Sequence, residues 1–143
     1  MATYRARVPS SRPQAEVFDY MARFSNAAEW DPGVTGATGP SEAPALGSTY
    51  RLQVRTFGRA VPLDYRIIEY DPPRRVVLSA ENSMVRSTDV IEVVAGPEDG
   101  SILTYDATLE LKGVAVLFNP LLGRSFQRIG DRAMVGLQAE LAN

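Results

Sequence analysis

Hydrophobic and polar positions repeat along this chain with two different periods, and the changes of period divide it into three stretches. In TYRARV (3–8), Tyr4, Ala6 and Val8 alternate with Arg5 and Arg7, which predicts a half-buried strand. Ser10, Ser11 and Pro13 then give a helix-start signal, with proline tolerated in the first turn. Val17, Phe18, Met21 and Phe24 follow helical spacing, and a second short helical turn is expected over 25–29. Asp31-Pro32-Gly33 ends the helical stretch: Pro32 cannot extend the ladder, and Gly33 tolerates a positive φ.

Period two dominates the middle of the chain. After a weak strand at 34–39, Tyr50, Leu52 and Val54 alternate with Arg51, Gln53 and Arg55, a one-sided strand. In VPLDYRIIEY, Leu63, Tyr65 and Ile67 share a face, and the Ile67-Ile68 doublet predicts a bulge or a change of register. DPPRR (71–75) is a turn. RVVLSAE and MVRSTDVIEVV follow as strands joined at Asn82-Ser83, a tight hairpin turn. GPEDG (96–100) turns the chain into SILTYDATLELK, where Leu103, Tyr105, Ala107, Leu109 and Leu111 line one side.

The end returns to helical spacing. Leu122, Phe126, Ile129, Ala133, Leu137 and Leu141 make an apolar stripe along one long helix, with Pro120 near its start and Asn119 a candidate N-cap. Residues 114–118 read equally as a preceding helical turn or a loop. The sum is a strand, two short helices, about six further strands and a closing helix. Strands joined by short turns form an antiparallel meander, and the last helix is the element long enough to cover it. The expected class is α+β, in a single domain spanning 1–143.

Composition narrows the chemistry. With 45% hydrophobic residues, 22% charged residues and a formal charge of -2, the chain is an ordinary globular one with no basic excess for nucleic acid. MATYRARVPS lacks the apolar core of a secretory signal, and GVAVLFNPLLG (113–123) is too short and broken to span a bilayer; a cytoplasmic protein is expected. Cysteine and histidine are both absent. Their absence excludes disulfides, thiolate nucleophiles, Ser-His-Asp triads and the usual zinc and Rieske ligand sets. No metal or cofactor is expected, and acid–base work falls to Asp, Glu, Tyr, Ser, Arg and Lys.

A two-residue turn at 82–83 pairs Val76 with Asp89, Leu78 with Ser87 and Ala80 with Val85. Asp89 and Ser87 then share the inward face of Ile91 and Val93; a slip of one residue would turn both to solvent. An inward carboxylate must be paired, hydrogen-bonded or protonated, and an apolar setting makes it a usable acid or base. Tyr50, Tyr65 and Tyr105 sit on the same side of different strands, placed either to orient a polar group of an apolar ligand or simply to pack. Trp30 reads as a packing anchor between the short helices and the sheet. Its neighbours Glu29 and Asp31 cannot both point inward. Arg5, Arg7, Arg51 and Arg55 belong to outer strand faces, and Arg124, Arg128 and Arg132 to a solvated flank of the last helix. The inward positions mix large residues (Tyr50, Tyr65, Tyr105, Phe126) with small ones (Ala6, Ala80, Ala107, Ala133), which suits either an internal cavity or a close helix–sheet contact.

EVFDYMARFSNAAEWDPGV, IIEYDPPRRVVLSA, GSILTYDATLEL and the terminal DRAMVGLQAEL, in this element order, resemble the START-like helix-grip superfamily (SRPBCC) over nearly the whole chain. The wording is most similar to its polyketide cyclase/dehydrase-like members. The resemblance implies a strongly curved sheet wrapped around the long helix with a cavity between them. It implies a carrier or binding protein for a small hydrophobic molecule, lipid-like or aromatic, with Tyr50, Tyr65, Ser87, Asp89 and Tyr105 at its polar end. Leu122, Phe126, Ile129 and Ala133 would line the apolar remainder. An alternative is a metal-free cyclase or dehydratase in which Asp89 is the general acid/base and Tyr65 polarises a carbonyl. Cyclase-type relatives usually add an inward arginine; Leu63, Tyr65 and Ile67 include none. A further alternative is a protein-interaction or stress-type regulatory module. The expected partners are a small ligand and at most a second copy of the chain, with no nucleic acid and no membrane span.

Overall fold

The computed structural model describes residues 1–142 except Phe57, and their side chains except those of Thr56, Val114, Ala115 and 118–122. Strand β1 (Ala2–Ser10) is followed by helix α1 (Gln14–Ala22), a 3-10 turn (Phe24–Asn26) and helix α2 (Ala27–Trp30). Six strands come next: β2 (Val34–Thr38), β3 (Thr49–Thr56), β4 (Arg59–Asp71), β5 (Arg75–Glu81), β6 (Val85–Ala95) and β7 (Ser101–Leu111). A 3-10 segment (Gly113–Phe118) leads into helix α3 (Asn119–Leu141), so the stretch at 114–118 is helical rather than open loop.

All seven strands join one antiparallel sheet in the order β1-β7-β6-β5-β4-β3-β2. The sheet curls around α3, which packs against β1 and α2, while α1 lies against β6 and β7. The bulge expected at Ile67-Ile68 is present: the β4–β5 register shifts between Ile67 and Glu69, and Ile68 is turned outward. One extra residue in β4 sharpens the local twist and helps the sheet to curl.

The β5–β6 hairpin differs from expectation in a way that preserves its face. Val76 pairs with Ile91, Leu78 with Asp89 and Ala80 with Ser87, so the register is two residues away from the expected pairing. The loop is longer than two residues because the Asn82 side chain accepts hydrogen bonds from the backbone N–H groups of Met84 and Val85, at 2.8 and 2.9 Å. Such an Asx-type cap extends the turn. A shift of two returns every side chain to its own side of the pleat. Asp89 therefore still points inward, opposite Leu78 rather than Val76.

The terminal helix also departs from the sequence pattern. Its buried face is Ala133, Met134, Leu137 and Leu141, with Phe126 packed at the margin. Ile129, expected on that stripe, is 46% exposed. The reason is two glycines that set the rotation of the helix. A Cβ on Gly136 would lie 2.0 Å from the Trp30 carbonyl oxygen, and one on Gly130 would lie 2.4 Å from the Tyr4 ring. These two points of near-backbone contact face α2 and β1, which carries Ile129 round to solvent.

Candidate functional site

Burial along the inward face of the sheet falls off from one end to the other. Val76, Leu78, Ile91, Val93 and Leu103 are fully buried, as are Leu137 and Leu141 of α3. Further along the same inward rows, Val85, Ala107, Leu109 and Leu111 are apolar yet only half-buried, as is Phe126 across from them on α3. These partly exposed apolar side chains lie on the inward rows toward the β5–β6 turn and the 3-10 segment before α3.

Where the fully buried residues give way to the partly exposed ones, polar groups collect. Asp89 and Ser87 come from β6, Tyr65 from β4 and Tyr105 from β7, all buried. The Tyr65 hydroxyl donates to Ser87 Oγ at 2.8 Å, and Ser87 Oγ donates to Asp89 Oδ1 at 3.4 Å. The Tyr105 hydroxyl donates to Asp89 Oδ2. Both oxygens of the carboxylate are thus engaged, and every hydroxyl proton in the chain of bonds points toward it.

Burial pushes the Asp89 carboxyl up to about 6; the Tyr105 and Ser87 hydrogen bonds oppose the rise, and the negative charge of Asp31 adds to it. Burial and then the Asp89 charge also raise Tyr65 and Tyr105, so both phenols stay protonated and remain donors. Asp31 was not singled out by the sequence pattern. It leaves the end of α2 and turns inward, its Oδ1 accepting the Gly33 N–H at 2.8 Å. Burial raises its pKa as well. Glu29, its competitor, faces the surface and accepts the Tyr20 hydroxyl at 2.8 Å. An Asp two residues before a turn glycine is the local signal that predicts this bond; that the turn faces the sheet interior is decided by tertiary packing.

Aromatic rings surround these groups. Phe24 lies 5.0 Å from Tyr65 and 6.5 Å from Trp30, and Trp30 lies 5.7 Å from Tyr105, all at steep interplanar angles. Trp30 does anchor α2 against the sheet, as expected, with its ring beside Tyr105; its backbone carbonyl also meets α3 at Gly136. Tyr50 is paired opposite Tyr65 and wholly buried, but its ring packs over Gly39 and its hydroxyl makes no hydrogen bond among the described residues. It does not join the Asp89 cluster. Ala133 lies buried on α3, Ile129 points to solvent, and the Leu122 side chain lies outside the described residues.

Among the described residues no three acidic side chains converge to hold a metal ion, and no arginine or lysine forms an ion pair with Asp31 or Asp89. No described helix is long and apolar enough to cross a membrane.

The model of one protein family, described as polyketide cyclase / dehydrase and lipid transport, matches residues 1–142. The fold is similar to that of a START superfamily protein from Mycobacterium smegmatis, at 13% identity and a TM-score of 0.74, over 99% of this chain and 97% of that one. A protein of Thermus thermophilus aligns with a TM-score of 0.78 at 16% identity, over 97% and 96% of the two chains. The major latex-like protein 151 of Panax ginseng does so with 0.70 at 12% identity, over 99% and 98%. No curated protein matches the chain by sequence.

Proposed function

Because the chain belongs to the polyketide cyclase / dehydrase and lipid transport family, we propose that it binds a small, largely apolar molecule between the curved sheet and α3. The observation that carries this is the set of partly exposed apolar side chains, Val85, Ala107, Leu109, Leu111 and Phe126, next to a buried cluster of hydrogen-bonded polar side chains on the same inward face. Apolar walls supply affinity through burial, at about 25 cal/mol per Å² removed from water, and the polar end supplies orientation. Tyr65, Ser87, Asp89 and Tyr105 take the polar end of the ligand; Phe126 and the half-buried strand residues take its body. Native mass spectrometry of the purified protein, with thermal shifts across a panel of aromatic and lipid-like compounds, tests this. Co-purification of a compound or a saturable shift supports it, and no shift across the whole panel refutes it.

One observation favours a second role for the same groups. A carboxyl whose pKa lies near 6 at the end of a relay of hydroxyls is suited to exchanging a proton with a bound carbonyl compound. In such a cyclase or dehydratase Asp89 is the acid/base, and Tyr65 or Tyr105 polarises the carbonyl. Once a ligand is identified, Asp89→Asn separates the two roles: a carrier keeps no turnover to lose, whereas an enzyme loses kcat while still binding.

A further inference from the structure

A buried carboxylate is stable when a positive charge or a set of donors answers it. Asp89 has hydroxyl donors, yet the charge that acts on it from nearby is another carboxylate, Asp31. The groups facing Asp89 from the surrounding strands are Ser87 on β6, Tyr65 on β4 and Tyr105 on β7, with Asp31 from the turn after α2. The buried residues of α3, Ala133, Met134, Leu137 and Leu141, carry no charge.

The directions of the hydrogen bonds restrict what can complete this cluster. The Tyr65 proton goes to Ser87, the Ser87 proton to Asp89 and the Tyr105 proton to Asp89. What remains for a visitor is oxygen lone pairs: those left on the two phenols, on Asp89 and on the unbonded oxygen of Asp31. An entering carboxylate would meet two like charges and no free proton. Around these acceptors stand the rings of Phe24, Trp30, Tyr65 and Tyr105, inclined to one another by 61° to 73°. Rings set as walls at steep angles, beside carboxylates, form an environment that receives an organic cation.

We infer that the molecule held by this site is a protonated organic amine on an apolar body, its ammonium seated against Asp89 and Asp31 within the walls of Phe24, Trp30, Tyr65 and Tyr105. The assignment rests on the binding role proposed above and names the class of its ligand. The body lies along Ala107, Leu109 and Phe126, and the ammonium supplies the positive charge that the protein itself withholds.

The experiment uses three probes of one shape: 4-phenylbutylamine, 4-phenylbutanol and 4-phenylbutanoate. Binding is followed by the fluorescence of Trp30, the only tryptophan in the chain, and by calorimetry. At pH 7.5 the amine binds about 10-fold or more tightly than the alcohol, and the carboxylate binds weakest. Between pH 7.5 and pH 5 the amine affinity of the wild-type protein falls about 10-fold as Asp89 takes up its proton, while alcohol affinity stays level. Asp89→Asn removes the amine preference, and Asp31→Asn reduces it; the pH series on the unaltered protein carries the same information if either variant fails to fold. Equal or tighter binding of the alcohol or the carboxylate overturns the amine assignment and leaves the apolar binding role standing. No binding of any of the three, together with a silent ligand panel, overturns both.

Discussion

Asp89→Asn changes a charge while keeping the shape of the side chain, so it isolates what burying that charge costs. In the unfolded chain the carboxyl ionises near its ordinary 3.8; in the folded protein burial moves it to about 6. The folded state therefore holds the proton more tightly, and the stability this group contributes is full below 3.8 and lost as the pH rises through 6. The complete gap corresponds to about 3 kcal/mol, of which about 2 kcal/mol falls between pH 4.5 and pH 7.5. The uncharged amide feels none of it; relative to the protonated carboxyl, which can both donate and accept within the chain of hydroxyls, it costs about 1 to 1.5 kcal/mol. The variant is thus expected to match wild type to within about 0.5 kcal/mol at pH 4.5 and to be about 1.5 to 2 kcal/mol more stable at pH 7.5. The difference between the two proteins changes by about 2 kcal/mol across the window. For a chain of this length that is about 6 °C in Tm. Thermal or urea unfolding of both proteins from pH 4.5 to 7.5 measures it, and Asp31, present in both, contributes equally and cancels to first order. A difference that stays constant over that range would refute a buried Asp89 with a raised pKa.

Three further substitutions test the frame around the site. Gly136→Ala puts a methyl group 2.0 Å from the Trp30 carbonyl oxygen, and overpacking of this kind costs about 1 to 3 kcal/mol; a lowered Tm with a shifted Trp30 emission is expected, and an unchanged melt contradicts the contact. Tyr4→Phe removes the 2.8 Å bond to Asp131 that ties the middle of α3 to β1. It should cost about 0.5 to 1 kcal/mol and speed amide exchange at 123–131 more than at 133–141. Asn82→Ala deletes the acceptor for Met84 and Val85 N–H. A loss of about 1 kcal/mol in urea unfolding, without a change in m-value, is the expected result.

The strands and their inward faces were legible because period two survives errors of register in even steps. Leu63, Tyr65, Ile67, Ser87, Asp89 and Tyr105 are inward as the alternation implies, although the β5–β6 pairing is two residues from the simplest turn. The Ile67-Ile68 bulge was legible because two consecutive large apolar residues cannot both satisfy one face. Rotation of α3 was not. It depends on where the backbone of Trp30 and the ring of Tyr4 demand a missing Cβ, and a glycine inside a helical pattern does not announce what it will touch. Asp31 was hidden for a related reason: at the end of a helix, residues two apart point to nearly opposite sides, which excludes one of Glu29 and Asp31 from the interior, but choosing between them requires knowing how the turn is seated. Tyr50 lies directly opposite Tyr65 on the same face, yet the reach of a phenol is set by tilt and by neighbours such as Gly39, not by alternation.

The fully buried and the partly exposed stretches of the inward face divide two duties between different residues. Val76, Leu78, Ile91, Val93, Leu103, Leu137 and Leu141 hold the fold together, while Val85, Ala107, Leu109, Leu111 and Phe126 are partly exposed and contribute less burial. Exchanging side chains in the second group changes the shape of the inward face at small expense to folding, since partly buried positions lose little on truncation. The partly exposed positions can therefore be varied one at a time, with the fully buried residues acting as a reserve of stability against which such trials are made.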